Sequence, residues 1–222
     1  TASTIAVILF GVTLSFAGFD WVMSLDPTWA STMFGVYTFA GSMISSLCTI
    51  GLAAHLLQRA GYLKGVITVE NYHDLGKLIF GFIVFWAYIA FSQFMLIWYA
   101  NLPEETAWFR TRWENGWSTL AVALCILHFA VPFFAMLSRT AKRNAMAMMS
   151  VAVLILVMHY VDLFWVIMPV RRHSFEVSAR DIAALVGVCG LCLAGIFNRM
   201  GAAALIPVKD PYVHSSLEYD NG

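Results

Sequence analysis

Phe19-Asp-Trp-Val-Met-Ser-Leu-Asp-Pro-Thr-Trp-Ala-Ser-Thr-Met-Phe-Gly-Val-Tyr37 joins two long apolar runs through a short turn holding two acids, a proline and two tryptophans. Acids at the lip of a membrane span are costly unless paired, hydrated or used, and tryptophans suit a membrane–water boundary. Pro27 presets the turn, and Ser31 or Thr32 stands where a helix cap is needed. The segment therefore reads as a built site at a bilayer edge, with a spanning helix on either side.

The rest of the chain agrees. Of its 222 residues 60% are hydrophobic and only 12% charged, with a mean hydropathy of +0.75; a soluble domain carries about 25% charged residues. Six apolar runs, near 3–23, 33–57, 74–100, 117–138, 144–168 and 181–200, reach the length a bilayer-crossing helix needs. They are continuously apolar, without the alternation of a membrane β-barrel strand. The fold class expected is an all-α integral membrane protein, a polytopic helical bundle over 1–206 with a polar tail over 207–222 that includes Pro207 and Pro211. The small residues of the second run (Gly35, Ala40, Gly41, Ser42, Ser45, Gly51) predict close helix packing in lipid. Zero net charge and the lack of a basic block argue against a nucleic-acid partner.

Lys and Arg divide unevenly between the two sides. Arg59, Lys64, Lys77, Arg139, Lys142, Arg143, Arg199 and Lys209 fall on one, and Arg110, Arg112, Arg171, Arg172 and Arg180 on the other. The positive-inside rule puts the first side and both ends of the segment in the cytoplasm, and the Asp20–Trp29 turn on the outer face. The chain starts at Thr1, with no signal-peptide pattern, which predicts further sequence ahead of it. Cys48, Cys125, Cys189 and Cys192 all fall in predicted spans. Cys189-Gly-Leu-Cys192 has redox or metal spacing but no second pair, so packing is the plainer reading and no metal is expected.

Several residues could carry chemistry. His159 and Asp162, three apart, share one helix face. A charged Asp within a span costs about 2.5–3.5 kcal/mol on insertion scales, which argues for an interior, paired or hydrated place. A carboxyl beside an imidazole makes a workable proton relay; the alternative is a hydrogen bond that only locks packing. His128 could extend that relay as a further proton-transfer residue, or be a bonded core histidine, or, with His159 on the next antiparallel span, be one of two axial ligands for a b-type haem. Asp20 and Asp26 could end a proton path or cap the turn. His73, Asp74 and Lys77 could open one where the third span begins, or cap and snorkel there. Gln93 could hold water or bond a neighbouring helix. The loop 101–116, with Trp108, Phe109 and Trp113, reads as an outer interfacial segment.

Two stretches resemble a known family. Asp20-Trp-x-x-Ser-Leu-x-Pro-x-Trp29-x-Ser-Thr-x-Phe34-x-x-Tyr37-x-x-Ala-Gly41, and Leu75-Gly-Lys77 followed by Gln93-Phe-x-x-x-Trp98-Tyr99-x-Asn101-x-Pro103-Glu104-Glu105-Thr106, are similar to the NrfD/PsrC-type membrane subunits. With His159-Tyr-Val-Asp162, the second stretch is most similar to the second NrfD-like subunit of bacterial alternative complex III, a quinol:electron-acceptor oxidoreductase. The resemblance implies a bacterial inner-membrane subunit of about ten spans of bilayer-crossing length, with its C-terminal six here. It implies no redox cofactor in this chain; quinol, iron–sulfur clusters and c-type haems would be held by partners. Those partners would be a homologous quinone-binding NrfD-like subunit, an iron–sulfur/molybdopterin-like extrinsic subunit and multihaem cytochrome c subunits, all within membrane lipid. Quinone-handling relatives tend to carry histidine after the turn tryptophan, where this chain has Ala30. Alanine cannot take a quinol proton, which favours proton transfer and scaffolding over quinol oxidation; a quinol pocket in this chain and an inert anchor are the alternatives.

Overall fold

A computed structural model describes residues 2–202, 204–206 and 211–218. Thr1, Pro207 and Lys209 lie outside the described residues. The chain is all-α, with no strand among the described residues. Among the described residues six helices are long and apolar enough to cross a membrane, the pattern of a multi-pass membrane protein. The chain divides into two units, 1–174 and 175–222.

The first unit holds α1 (Ala2–Ala17), prolonged by a wide π turn over Gly18–Val22 and a 3-10 turn over Met23–Leu25. Then follow α2 (Met33–Arg59), α3 (Val69–Ala100), the short α4 (Pro103–Thr111), α5 (Trp117–Met136), α6 (Arg139–Arg143) and α7 (Ala145–Ile167). The second unit holds α8 (Ala179–Ala202) and α9 (Val213–Leu217), so the polar tail carries a helical turn.

Local chemistry sets several boundaries. Thr68 and Asn71 form a reciprocal capping box at the start of α3. This starts the helix five residues before the expected 74, because Thr68 is the better stop for the preceding turn. His73, Asp74 and Lys77 therefore lie inside the helix and do not open it. α3 ends on Asn101 in the left-handed conformation (φ 50°), and Pro103 starts α4, a helix the sequence pattern did not reveal. Asn144 caps α7 through the Met146 and Ala147 amides, at 3.0 and 3.2 Å. Thr32 is the N-cap of α2, but neither the expected Ser31 nor Thr32 side chain bonds a backbone amide there.

α5 is not uniform. Leu124–Ala130 winds as a π segment, and Pro132 follows. Proline has no amide hydrogen to give the carbonyl four residues back, which belongs to His128, so the widened turn absorbs the defect.

Two apolar clusters fill the first unit. One (Ile44, Cys48, Ile79, Ile83, Met136, Met148, Ile155 among its members) lies toward the 59–69 end. The other (Trp29, Phe34, Tyr37, Trp86, Ile89, Trp108, Val166) lies toward the 23–31 turn. Trp29, Trp108 and Trp117 are buried, contrary to a purely interfacial placement, while Trp21 and Trp113 are exposed. Tryptophans that could stack on one another and on a cation gain more inside than at the boundary.

Candidate functional site

The interior of the first unit gathers polar side chains where the two apolar clusters meet. Asp162, 1% exposed, projects from α7 toward α2, and the Tyr37 hydroxyl donates a hydrogen bond to its Oδ1. Its Oδ2 has no hydrogen-bond partner and stands 3.8 Å from His159 Nδ1. The shared helix face expected of His159 and Asp162 is therefore present, but the carboxyl's bond goes to Tyr37 and not to the imidazole. The His159 ring fits because α2 carries Gly41 at this level: a Cβ there would overlap the imidazole.

His128 is fully buried on the π segment of α5, stacked on the Trp86 indole (centroids 4.1 Å, 12° between planes). It meets the His159 ring edge-on at 6.1 Å and 79°. The Met158 backbone lies beside it, yet neither ring nitrogen makes a well-formed hydrogen bond. Two histidines in edge contact leave no room for an iron between their nitrogens, so the b-type haem alternative does not fit this arrangement. The Trp86 N–H and Gln93 Oε1 are also buried without a bonding partner. Buried polar atoms left open in this way are commonly satisfied by ordered water.

A groove of about 630 Å³ runs beside this cluster, a volume in the range of small-molecule sites. Its polar floor is Tyr37, Gln93 and Asp162, and its walls are aromatic, with Trp86, Trp108 and Trp165 among them. Val84, Tyr88, Phe91 and Phe94 line it while remaining well exposed, so it opens on the outer surface of the spans.

Beyond the groove, at the turn end, Arg112 is 1% exposed. Its Nη1 donates to the Trp108 carbonyl at 2.8 Å and its Nη2 to the Val166 carbonyl at 2.5 Å, one turn after Asp162. The guanidinium lies 3.5 Å over the Trp108 ring, which stacks on Trp29 at 4.4 Å and 15°. Burial pulls the Arg112 pKa down to about 9, while Asp26 and then Tyr37 act in the opposite direction. Asp26 caps its own turn, accepting from the Thr28 hydroxyl at 2.7 Å. Asp20 is exposed.

The candidates thus fall into three groups. His128, His159, Asp162 and Gln93 come together; Asp20 and Asp26 stay at the turn; His73, Asp74 and Lys77 sit at the opposite end of the bundle. There Lys77 and Asp74 form an ion pair at 2.7 Å, and His73 is buried with Nδ1 unbonded. The apolar cluster around Ile44, Ile83, Met148 and Ile155 occupies the interval between that end and the histidines. Cys48 is buried; Cys125, Cys189 and Cys192 are exposed free thiols.

Sequence reasoning did not single out Tyr37, Trp86, Gly41 or Arg112 as site residues. Tyr37 and Gly41 stood in the quoted motif, but nothing in their spacing named Asp162 and His159 as their partners. Neither models of known protein families nor curated proteins match the chain.

Proposed function

We propose that this chain is a membrane subunit of a bacterial quinol:electron-acceptor oxidoreductase of the alternative complex III type, corresponding to six spans of an NrfD-like subunit. It carries no redox cofactor of its own, serves as a scaffold for its partner subunits in the inner membrane, and provides a proton-transfer route. The motif resemblance at 20–41 and 75–106 supports the family. The observation that carries the chemistry is the buried Tyr37–Asp162 hydrogen bond, with His159 and His128 following it across the bundle. Quinol oxidation releases the hydroxyl protons, and a carboxyl followed by two imidazoles can take up and pass on such protons. The 3.8 Å gap from Asp162 to His159 is one that a water or a small side-chain rotation closes. The N-terminal and C-terminal ends of the segment lie in the cytoplasm on this reading.

Asp162→Asn in the whole complex tests it, with quinol oxidation and proton translocation measured separately. Translocation is expected to fall while electron transfer persists; unchanged translocation and turnover would leave only the inert-anchor reading.

One observation favours a second reading, that this chain binds quinol itself. The aromatic groove has hydrogen-bonding groups on its floor and opens on the outer surface of the helices, a shape that a flat, lipid-soluble ring bearing hydroxyls would suit. On that reading Asp162, rather than the turn acids, takes the quinol proton, and Gln93→Leu raises the KM for quinol.

A further inference from the structure

The aromatic groove holds a nucleophile that neither functional reading uses. Cys125 stands on the π segment of α5, is exposed, and lines the groove together with Gln93 and Asp162. Exposure alone says little, since Cys189 and Cys192 on α8 are exposed free thiols as well. What sets Cys125 apart is the rest of the cavity it lines. Gln93 is 5% exposed and its Oε1 has no hydrogen-bond partner; Asp162 is 1% exposed and its Oδ2 has none. Two buried acceptors thus stand open at a groove of about 630 Å³ walled by Trp86, Trp108 and Trp165. A buried acceptor left open is costly, and a ring hydroxyl entering the groove would remove that cost.

We propose that Cys125 is a covalent modification site for quinones that enter the groove with an unsubstituted ring carbon beside a carbonyl. The sulfur lone pair forms a bond to that carbon and pushes ring electrons onto the carbonyl oxygen, which takes the thiol proton. The hydrogen on the same carbon then leaves as a proton for the second oxygen, and the ring becomes aromatic. Nothing is expelled and no outside oxidant or reductant is needed: a thiol and a quinone become a hydroquinone thioether. The Gln93 amide carries both an acceptor and donors, so it can meet the carbonyl of the entering ring and the hydroxyl of the product. Holding ring and thiol within the same walls raises their effective concentration. A fully substituted quinone has no such carbon and passes the thiol unchanged, so the groove discriminates by ring substitution. The inference rests on the second reading, that a ring enters the groove, and not on the proton route.

The test treats the full chain in nanodiscs with menadione, a naphthoquinone with one open ring carbon, and follows adducts by peptide mass spectrometry. Cys125 should be modified roughly tenfold faster than Cys189 and Cys192, the gain expected from even loose positioning. Gln93→Leu should slow the addition at Cys125 severalfold while leaving its labelling by a maleimide unchanged, which shows that the thiol is still reached. The dimethyl analogue, in which the open carbon is closed, should form no adduct and should slow menadione addition at Cys125. Equal rates at Cys125, Cys189 and Cys192, or a Cys125 rate unaffected by Gln93→Leu, would overturn the proposal. If the analogue protects Cys125 from maleimide but menadione adds without selectivity, the covalent step fails and ring binding stands. If the analogue protects against neither reagent, ring binding falls and the proposal with it.

Discussion

The hydroxyl of Tyr37 on α2 donates to Asp162 on α7, a bond between residues 125 positions apart. It joins the helix that follows the acidic turn to the helix that carries both a buried carboxyl and a histidine. The first prediction follows from it. Tyr37→Phe removes the donor and leaves both carboxyl oxygens of Asp162 without a partner. A buried polar group so stranded costs about 1–3 kcal/mol. The thermal midpoint of the variant in detergent should fall, and the infrared carbonyl or carboxylate band of Asp162 should shift. An unchanged band would mean that the pair is not bonded in the membrane.

Gly41→Ala tests the packing that admits His159. The added methyl overlaps the imidazole, so either the ring tilts away or the α2–α7 contact opens; overpacking of this kind costs about 1–3 kcal/mol. On the proposed route, proton translocation should fall more than quinol oxidation. Gly81→Ala is the control, since a Cβ there meets nothing within 4 Å. Its stability should hold or rise, as alanine is the better helix former. If His159→Asn restores stability in the Gly41→Ala background, the ring itself is the obstacle.

Each of the six apolar runs read from hydropathy falls on a helix long and apolar enough to cross a membrane, because run length and polarity are what a bilayer demands of a span. The acids and aromatics at 19–37 correctly marked a turn between two of them, and the three-residue spacing placed His159 and Asp162 on one face. Other features depended on contacts far apart in sequence. Trp29 and Trp108 look interfacial from composition, yet they stack on each other and under Arg112 inside the fold. The early start of α3 rested on a Thr68–Asn71 capping box weaker to the eye than the acid at 74. Tyr37 could not be named as the partner of Asp162, since nothing local specifies which helix face α2 turns toward α7.

Arg112→Met should destabilise the turn end. The native guanidinium satisfies two carbonyls, one of them at the end of α7 where helix carbonyls lack partners. Hydrogen bonds to a charged group contribute about 1.5–3 kcal/mol each. Arg112→Lys should rescue only partly, because an ammonium cannot bridge Trp108 and Val166 as the planar fork does. With its pKa drawn down to about 9, Arg112 remains a cation at neutral pH, so this lock should not titrate there. Proteolysis of the 101–116 segment together with the thermal midpoint would measure the loss.

The groove contains its own probe. Cys125 lines it and is exposed, whereas Cys48 is fully buried among Ile44, Ile79 and Met148. A lipid-soluble maleimide should therefore label Cys125 and leave Cys48 untouched until the protein unfolds. Cys189→Ser and Cys192→Ser changes remove the two other exposed thiols and make the readout single-site. The same experiment separates the two functional readings. If the groove takes a quinol-like ring, a non-oxidisable quinol analogue should slow labelling of Cys125 severalfold, and Ala90→Trp, which fills the groove wall, should abolish that protection. If the chain only conducts protons, the analogue should leave the labelling rate unchanged while Asp162→Asn still lowers translocation. Groove protection and proton coupling are thus read from different residues, so either can fail without deciding the other.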